Sequence, residues 1–220
     1  MAKVIKIGPT VNSGENVVVQ YLRNKENLPD SFLALTNVKV IDQRQSAEVD
    51  VIVFGTPGIY TLEIKDWAGR ISGENNSQQW RHNGRMEDNP CFQADKNSKI
   101  LRGFIRHQAA QAFSDVRIFN GITTSALVVL VHPGTDTSGV KAQTEKFLRI
   151  CLKLEDLGPT ILQDQEASKR FITPSEIRKL ALLLGAPKEE IDAWCIHCHF
   201  KDNRAGAKFC RGCGKVLVST

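Results

Sequence analysis

Asp50, Glu63 and Lys65 stand on either side of a Gly55-Thr56-Pro57-Gly58 turn, and two carboxylates with a lysine are groups that metal-assisted phosphodiester hydrolysis can use. The run VDVIVFGTPGIYTLEIK around them reads as a β-hairpin, with Pro57-Gly58 suited to the central positions of a type II turn. A turn centred on positions 56 to 58 pairs residues whose numbers sum to about 114, which sets Asp50 opposite position 63 or 64. Side chains alternate along a strand, so Glu63 and Lys65 share a face, and the three charged groups converge at the hairpin end away from the turn. Their neighbours are Val51, Ile52, Val53, Phe54, Ile59, Tyr60, Leu62 and Ile64. Among such residues an uncompensated charge costs several kcal/mol, and a divalent cation would compensate it. Hard carboxylate oxygens suit Mg²⁺ or Mn²⁺, and the lysine can orient a nucleophile or neutralise charge on a phosphate. The same three residues can instead close on one another as a strand-end salt bridge.

A second set of residues points to a different metal. Cys195, Cys198, Cys210 and Cys213 form two CxxC pairs, whereas Cys91 and Cys151 stand alone and read as buried thiols. The segment CIHCHFKDNRAGAKFCRGCG offers two thiolate pairs to one tetrahedral ion, with glycines for a tight knuckle and a turn at Asn203-Arg204-Ala205-Gly206. This is a zinc-ribbon pattern with structural Zn²⁺, and a complete Cys₄ set leaves His197 and His199 outside the coordination sphere. Lys201, Arg204, Lys208, Arg211 and Lys215 make the ribbon basic, which suits either DNA contact or docking of a protein.

Several elements must position these groups. Ser13 can cap a helix through about Arg23 that places Glu15 on one face with Val18 and Leu22, and SFLALTNVKVI reads as a strand. Asn89 with Pro90 begins a second helix, on whose apolar stripe Gln93 falls with Ile100 and Phe104. A structural role at Glu15 or Gln93 would ordinarily call for a hydrophobe, so both are candidates to reach the hairpin site. Their plainer readings are a carboxylate in a first helical turn and a satisfied buried amide. ITTSALVVLV, from Ile122, is a buried strand. Asp66 to Ile71 and Gln79-Trp80 read as further sheet carrying Arg70, Arg81 and Arg85, with Trp67 and Trp80 as packing residues. Thr173-Pro174-Ser175-Glu176 caps a short helix through Leu184 that Gly185 and Pro187 end, and Lys188 can begin another turn of helix.

Gly14-Glu15, the Asp50 strand, Pro57-Gly58, Glu63-Ile64-Lys65 and Asn89-Pro90-Cys91-Phe92-Gln93, in that order and spacing, resemble the nuclease-related domain, NERD, over roughly residues 10 to 132. That family is grouped with the PD-(D/E)XK, restriction-endonuclease-like superfamily. The resemblance implies an α/β fold with a mixed β-sheet flanked by helices. It also implies that Asp50 and Glu63 bind Mg²⁺ or Mn²⁺ with the Ile64 carbonyl, that Lys65 acts at the nucleophile, and that Glu15 and Gln93 assist. A DNA-hydrolysing enzyme is then expected; a nuclease-like fold kept only for binding is the alternative.

Bulk properties fit that expectation without requiring it. The 220 residues are 41% hydrophobic, enough for a real core, and carry a formal charge of +5. The sequence pI near 8.9 favours an anionic partner but is common among ordinary proteins. No run approaches the roughly 18 to 20 apolar residues of a membrane helix, and MAKVIKIGPT lacks a signal-peptide core, so a cytoplasmic location without membrane contact is expected. The expected organisation is a nuclease-like domain at 1–152, a helical linking segment at 153–193 and a zinc ribbon at 194–220. A homodimer is compatible with the sequence but no heptad demands one.

Overall fold

The computed structural model describes residues 2–9, 12–112, 122, 124–141, 148–167, 172–195, 197–198, 203 and 207–217. In chain order its strands are β1 (Lys3–Lys6), β2 (Leu33–Asp42), β3 (Gln45–Gly55), β4 (Gly58–Lys65), β5 (Gly69–Glu74), β6 (Gln79–His82), β7 (Arg85–Asp88), β8 (Thr124–Leu130), β9 (Thr135–Lys141) and β10 (Leu148–Cys151). The helices are α1 (Ser13–Arg23), α2 (Pro90–Ala112), α3 (Leu157–Ala167), α4 (Pro174–Leu183) and α5 (Lys188–Asp192), with a 3-10 turn at Leu154–Asp156.

A six-stranded mixed sheet, ordered β1-β2-β3-β4-β8-β10, forms the centre, and β7-β6-β5-β9 make a separate four-stranded sheet. The protein is thus a mixed α/β fold. Alternation along the strands sorts the core into layers. Val51, Val53, Tyr60, Leu62 and Ile64 pack with Val18 and Leu22 of α1 and with Leu157 and Ile161 of α3. Ile52, Phe54 and Ile59 pack on the opposite side with Ile100, Leu101 and Ile105 of α2 and with Ile177, Leu180 and Ala181 of α4. The small sheet joins through Ile71 and Trp80, which cluster with Cys91 and Ala94 of α2 and with Ala126 and Val128 of β8. Trp80 also donates its indole N–H to the Glu74 carbonyl at 3.0 Å.

The hairpin that carries the acidic residues turns one residue earlier than the sequence suggests. Gly55 pairs with Gly58, so Thr56 and Pro57 are the central turn residues and Pro57-Gly58 is not the central pair. The glycine at 55 has a packing reason: a Cβ there would lie 2.1 Å from the Phe32 ring. Gly55→Ala is therefore expected to destabilise the protein by about 1–3 kcal/mol through overpacking, read as a lower urea midpoint with unchanged slope.

Helix ends follow recognisable capping chemistry. Asn12, not Ser13, caps α1, because its carboxamide oxygen accepts the Glu15 N–H at 3.0 Å. Asn89 caps α2 by accepting the Cys91 N–H at 2.8 Å, with Pro90 as the first helical residue. Thr173 and Glu176 form a reciprocal capping box at α4. Gly185, in the left-handed region at φ 88°, ends it. Residues after 153 also reach the main core: Ile172, Ile177, Leu180, Ile191 and Trp194 belong to the same cluster as Ile52 and Phe54. Among the described residues no helix is long and apolar enough to cross a membrane.

Candidate functional site

The register Val51↔Leu62 and Ile52↔Thr61 continues to set Asp50 beside Glu63, on the sheet face that packs against α2. The Asp50 carboxylate accepts the Ile64 backbone N–H at 2.8 Å. A strand residue's N–H and C=O point to the same edge, so the Ile64 carbonyl also faces Asp50. Beyond Leu62 the β3 pairing is replaced by this side-chain contact, which opens the sheet edge where the acids meet.

Glu63 is 2% exposed. One of its carboxylate oxygens, Oε1, lies 2.7 Å from Lys65 Nζ, and the other, Oε2, is buried with no hydrogen-bond partner. Lys65 Nζ also donates to Gln93 Oε1 at 3.4 Å and sits 5.8 Å from the Trp67 ring centroid. Trp67 in turn stacks on His82, with ring centroids 5.2 Å apart. Glu15 is buried near the start of α1 with Val18 and Leu22, where its Oε1 accepts the Asn12 amide at 2.9 Å. Gln93 departs from expectation in being exposed: in the first two turns of α2 the buried residues are Cys91, Ala94, Asn97 and Ser98, and its own face is covered only from Ile100 onward. Its amide nonetheless meets Lys65 from the solvent side.

Burial raises the Asp50 carboxyl to about 6; the Ile64 N–H opposes this, the Glu15 charge adds to it and Lys65 opposes it. Burial likewise raises Glu63 to about 7, reinforced by the Asp50 charge and opposed by Lys65. Asp50, Glu15 and Glu63 thus form an electrostatically strained group around a lysine, with one carboxylate oxygen unsatisfied. Hard oxygen donors in that state fit a divalent cation of the Mg²⁺ or Mn²⁺ class. The pH dependence follows from the sign of the shift. A raised folded-state pKa gives stability that is complete below the ordinary carboxylate range and is lost as pH rises through about 7. Glu63→Gln, which cannot ionise, is expected to match the parent at acid pH and to exceed it at pH 8 without divalent metal, by on the order of 2 kcal/mol. Urea melts at both pH values, with and without Mg²⁺, check this; a variant less stable at pH 8 than at pH 5 relative to the parent would contradict it.

The C-terminal cysteines form the second centre. The sulfurs of Cys195, Cys198, Cys210 and Cys213 all lie within 4.8 Å of one another. Four thiolates at about 2.3 Å from a tetrahedral Zn²⁺ would be about 3.8 Å apart, so this cluster is compatible with zinc. Cys195 Sγ and Cys213 Sγ are 3.8 Å apart, and Cys198 Sγ and Cys210 Sγ are 3.5 Å apart. Knuckle N–H groups point at sulfur, from His197 to Cys195 at 3.4 Å and from Gly212 to Cys210 at 3.2 Å. Burial acts to raise the Cys210 thiol, but the Cys213 and Gly212 N–H groups and the thiols of Cys198 and Cys195 outweigh it and bring it to about 6. His197 is exposed and contributes its backbone only, while His199, Lys201 and Arg204 lie outside the described residues. Asn203 ties the base of the module, donating to the Ala193 carbonyl at 2.9 Å and accepting from Arg211 N–H at 2.8 Å.

Arg70, Arg81 and Arg85 are exposed on the small sheet. Cys91 and Cys151 are buried thiols, and burial raises Cys151 to about 11. Two site contacts were not anticipated from sequence. The Asn12 clamp on Glu15 was legible as an N-x-x-E spacing at a helix start. The Ser13 hydroxyl bond to Asp66 at 2.5 Å joins α1 to the residue after Lys65, and no local spacing announces it.

A search of curated proteins and a search of solved structures found no significant match. The family model of the nuclease-related domain, NERD, matches residues 10–130, a span that holds Glu15, Asp50, Glu63, Lys65 and Gln93. The chain therefore belongs to the nuclease-related domain family.

Proposed function

We propose that the protein is a divalent-metal-dependent nuclease that hydrolyses phosphodiester bonds in DNA. The observation that carries this reading is the buried Glu63 carboxylate, which has one oxygen on Lys65 and the other unpartnered beside Asp50. Asp50, Glu63 and the Ile64 carbonyl would hold Mg²⁺ or Mn²⁺. Such an ion, when bound, supplies Lewis acidity toward a phosphate oxygen and lowers the pKa of water. Lys65, restrained by Glu63, Gln93 and the Trp67 ring, places an ammonium where it can hold the attacking water or a phosphate oxygen. Water oxygen then bonds to phosphorus as the ester P–O bond breaks. Glu15 keeps negative potential on Asp50, which favours cation capture over a vacant acidic pair. Gln93 fixes the lysine from the open side.

In this reading residues 1–152 carry the hydrolytic site, the helical segment 153–193 links it to the ribbon while packing on its core, and 194–220 bind structural Zn²⁺ and aid substrate or partner binding. A second reading has its own observation. The 2.7 Å Lys65–Glu63 contact is a complete ion pair, as a binding module on a nuclease-like fold would retain. One experiment separates the two: labelled single-stranded, duplex and branched DNA and RNA are incubated with Mg²⁺, Mn²⁺ or no divalent metal, beside Asp50→Ala protein. Metal-dependent cutting that Asp50→Ala removes supports hydrolysis. Binding without cutting on any substrate selects the module.

A further inference from the structure

The outer face of the ribbon has no part in the chemistry above. Phe209 and Val216 oppose one another in an antiparallel bridge. It is closed by Cys210 N–H donating to Lys215 O at 2.8 Å and Leu217 N–H donating to Lys208 O at 2.9 Å. Side chains alternate across such a pair. Cys210 and Leu217 turn inward onto the sulfur cluster, whereas Phe209 and Val216 turn outward and are 60% and 56% exposed. The inward pair is explained by the small core. The outward pair is not, since solvated apolar side chains on a rigid bridge forgo the stabilisation that burial gives.

The surroundings of this patch set its partner. Lys208 and Lys215 each precede an outward residue and so start from the other side of the bridge, while Arg211 follows in the turn; all three are exposed, with side chains long enough to reach the phosphates of a strand lying across the face, and no ion pair engages them among the described residues. The stretch from 207 to 217 contains no acidic residue. A patch two side chains wide is too small to seat the apolar face of a protein helix but is the size of one stacked base. An aromatic face bordered by cations is the combination that holds unpaired nucleotides, whose bases offer π-faces and whose phosphates offer charge. A duplex keeps its base faces stacked inside and offers only base edges and phosphates.

We propose that the Phe209–Val216 face of the ribbon binds single-stranded nucleic acid, with a base on Phe209 and phosphates on Lys208, Arg211 and Lys215. This deepens the nucleic-acid reading but does not depend on cleavage. The test uses the full chain carrying one zinc per protein, with no Mg²⁺ or Mn²⁺, so that failure here and failure of hydrolysis are separate results. Fluorescence anisotropy with labelled oligo-dT is measured for the parent, Phe209→Ala, Phe209→Tyr and Arg211→Ala, and zinc content checks that each ribbon is folded. Phe209→Ala is expected to weaken dT binding about 5- to 100-fold with an unchanged salt slope, while Phe209→Tyr binds like the parent. Arg211→Ala should reduce the slope of log K against log salt by about 0.7. Cross-linking to a 5-iododeoxyuridine strand should label the peptide containing Phe209, which distinguishes this face from any strand held by the main domain. Parent-like dT binding by zinc-loaded Phe209→Ala, with no label on that peptide, overturns the proposal. Displacement of dT by polyglutamate at equal charge concentration also overturns it, in favour of an acidic protein partner.

Discussion

Lys65→Met is expected to slow the proposed metal-dependent cleavage by about 10²- to 10³-fold, on the scale of losing one preorganised charge donor, while leaving the melting transition close to that of the parent. The methionine keeps the apolar stem in place and removes only the ammonium that touches Glu63 and Gln93. Removing one partner of a buried pair ordinarily costs about 3–5 kcal/mol, because the other is stranded as a bare charge. Here the stranded group has an escape: Glu63 already titrates at about 7 and takes up a proton once the lysine is gone. The cost to folding is therefore small compared with the loss of rate. Metal affinity moves the other way, because the ammonium competes with a cation for Glu63 Oε1, so Lys65→Met should bind Mn²⁺ at least as tightly as the parent. Asp50→Ala, by contrast, should lose both metal and cutting. Single-turnover rates beside calorimetric Mn²⁺ titrations distinguish these outcomes; Lys65→Met cutting within a few-fold of the parent removes Lys65 from the chemistry.

Removal of zinc has the largest expected effect on structure. Among the described residues the apolar core of the ribbon is Cys195, Cys210 and Leu217 with Ala207 against them, too little to order a chain segment without the ion. Structural zinc supplies roughly 10–16 kcal/mol in modules of this kind. Cys213→Ser, or a chelator that strips one zinc per chain, should therefore abolish hydrogen-exchange protection at Cys210 and Leu217, whose N–H groups close the ribbon bridge. Protection at Val51 to Ile64 should persist, because Trp194, the residue before the first ligand, is fully buried in the main core and not in the ribbon. Cobalt substitution gives a second readout, since four thiolates produce a strong sulfur-to-metal absorption that Cys213→Ser diminishes. Undiminished protection at Cys210 after zinc removal would show that the ribbon is held by something other than its metal.

The acidic site was legible because strand geometry leaves little freedom. Period-two alternation and a short turn place Asp50 beside Glu63, and a one-residue change in the turn shifted only the pairing sum. Glu15 was legible for a similar reason, as a polar residue on the face of α1 that buries Val18 and Leu22. Gln93 shares its side of α2 with the buried Ile100, two turns on, but stands exposed in the first turn, where it meets Lys65. The helix buries Cys91, Ala94 and Asn97, a stripe whose small and polar residues make it hard to recognise in sequence. Other elements owe their form to neighbours. β9, TDTSGVK, is polar and contains glycine, and it becomes a strand by pairing parallel to β5. α3 opens with Leu157-Gly158-Pro159, which reads locally as a turn, but proline is tolerated in a first helical turn. Gly158 is required there because a Cβ would meet the Asn27 carbonyl at 2.7 Å and the Tyr21 hydroxyl at 2.9 Å.

The position of β4 has a consequence for how activity can be lost. From Ile59 to Lys65 it pairs with β8, and from Gly58 to Leu62 it also pairs with β3, so β8 holds Glu63 and Lys65 on one side while their β3 side is open to the site. Fraying of the outer strands β1 and β10 leaves both residues on β8. Local openings of a fold are drawn from its weakly packed parts, and the interior strand of the main sheet belongs to the last cooperative unit to open. Heat inactivation of the proposed centre and unfolding of the main sheet are then expected to coincide.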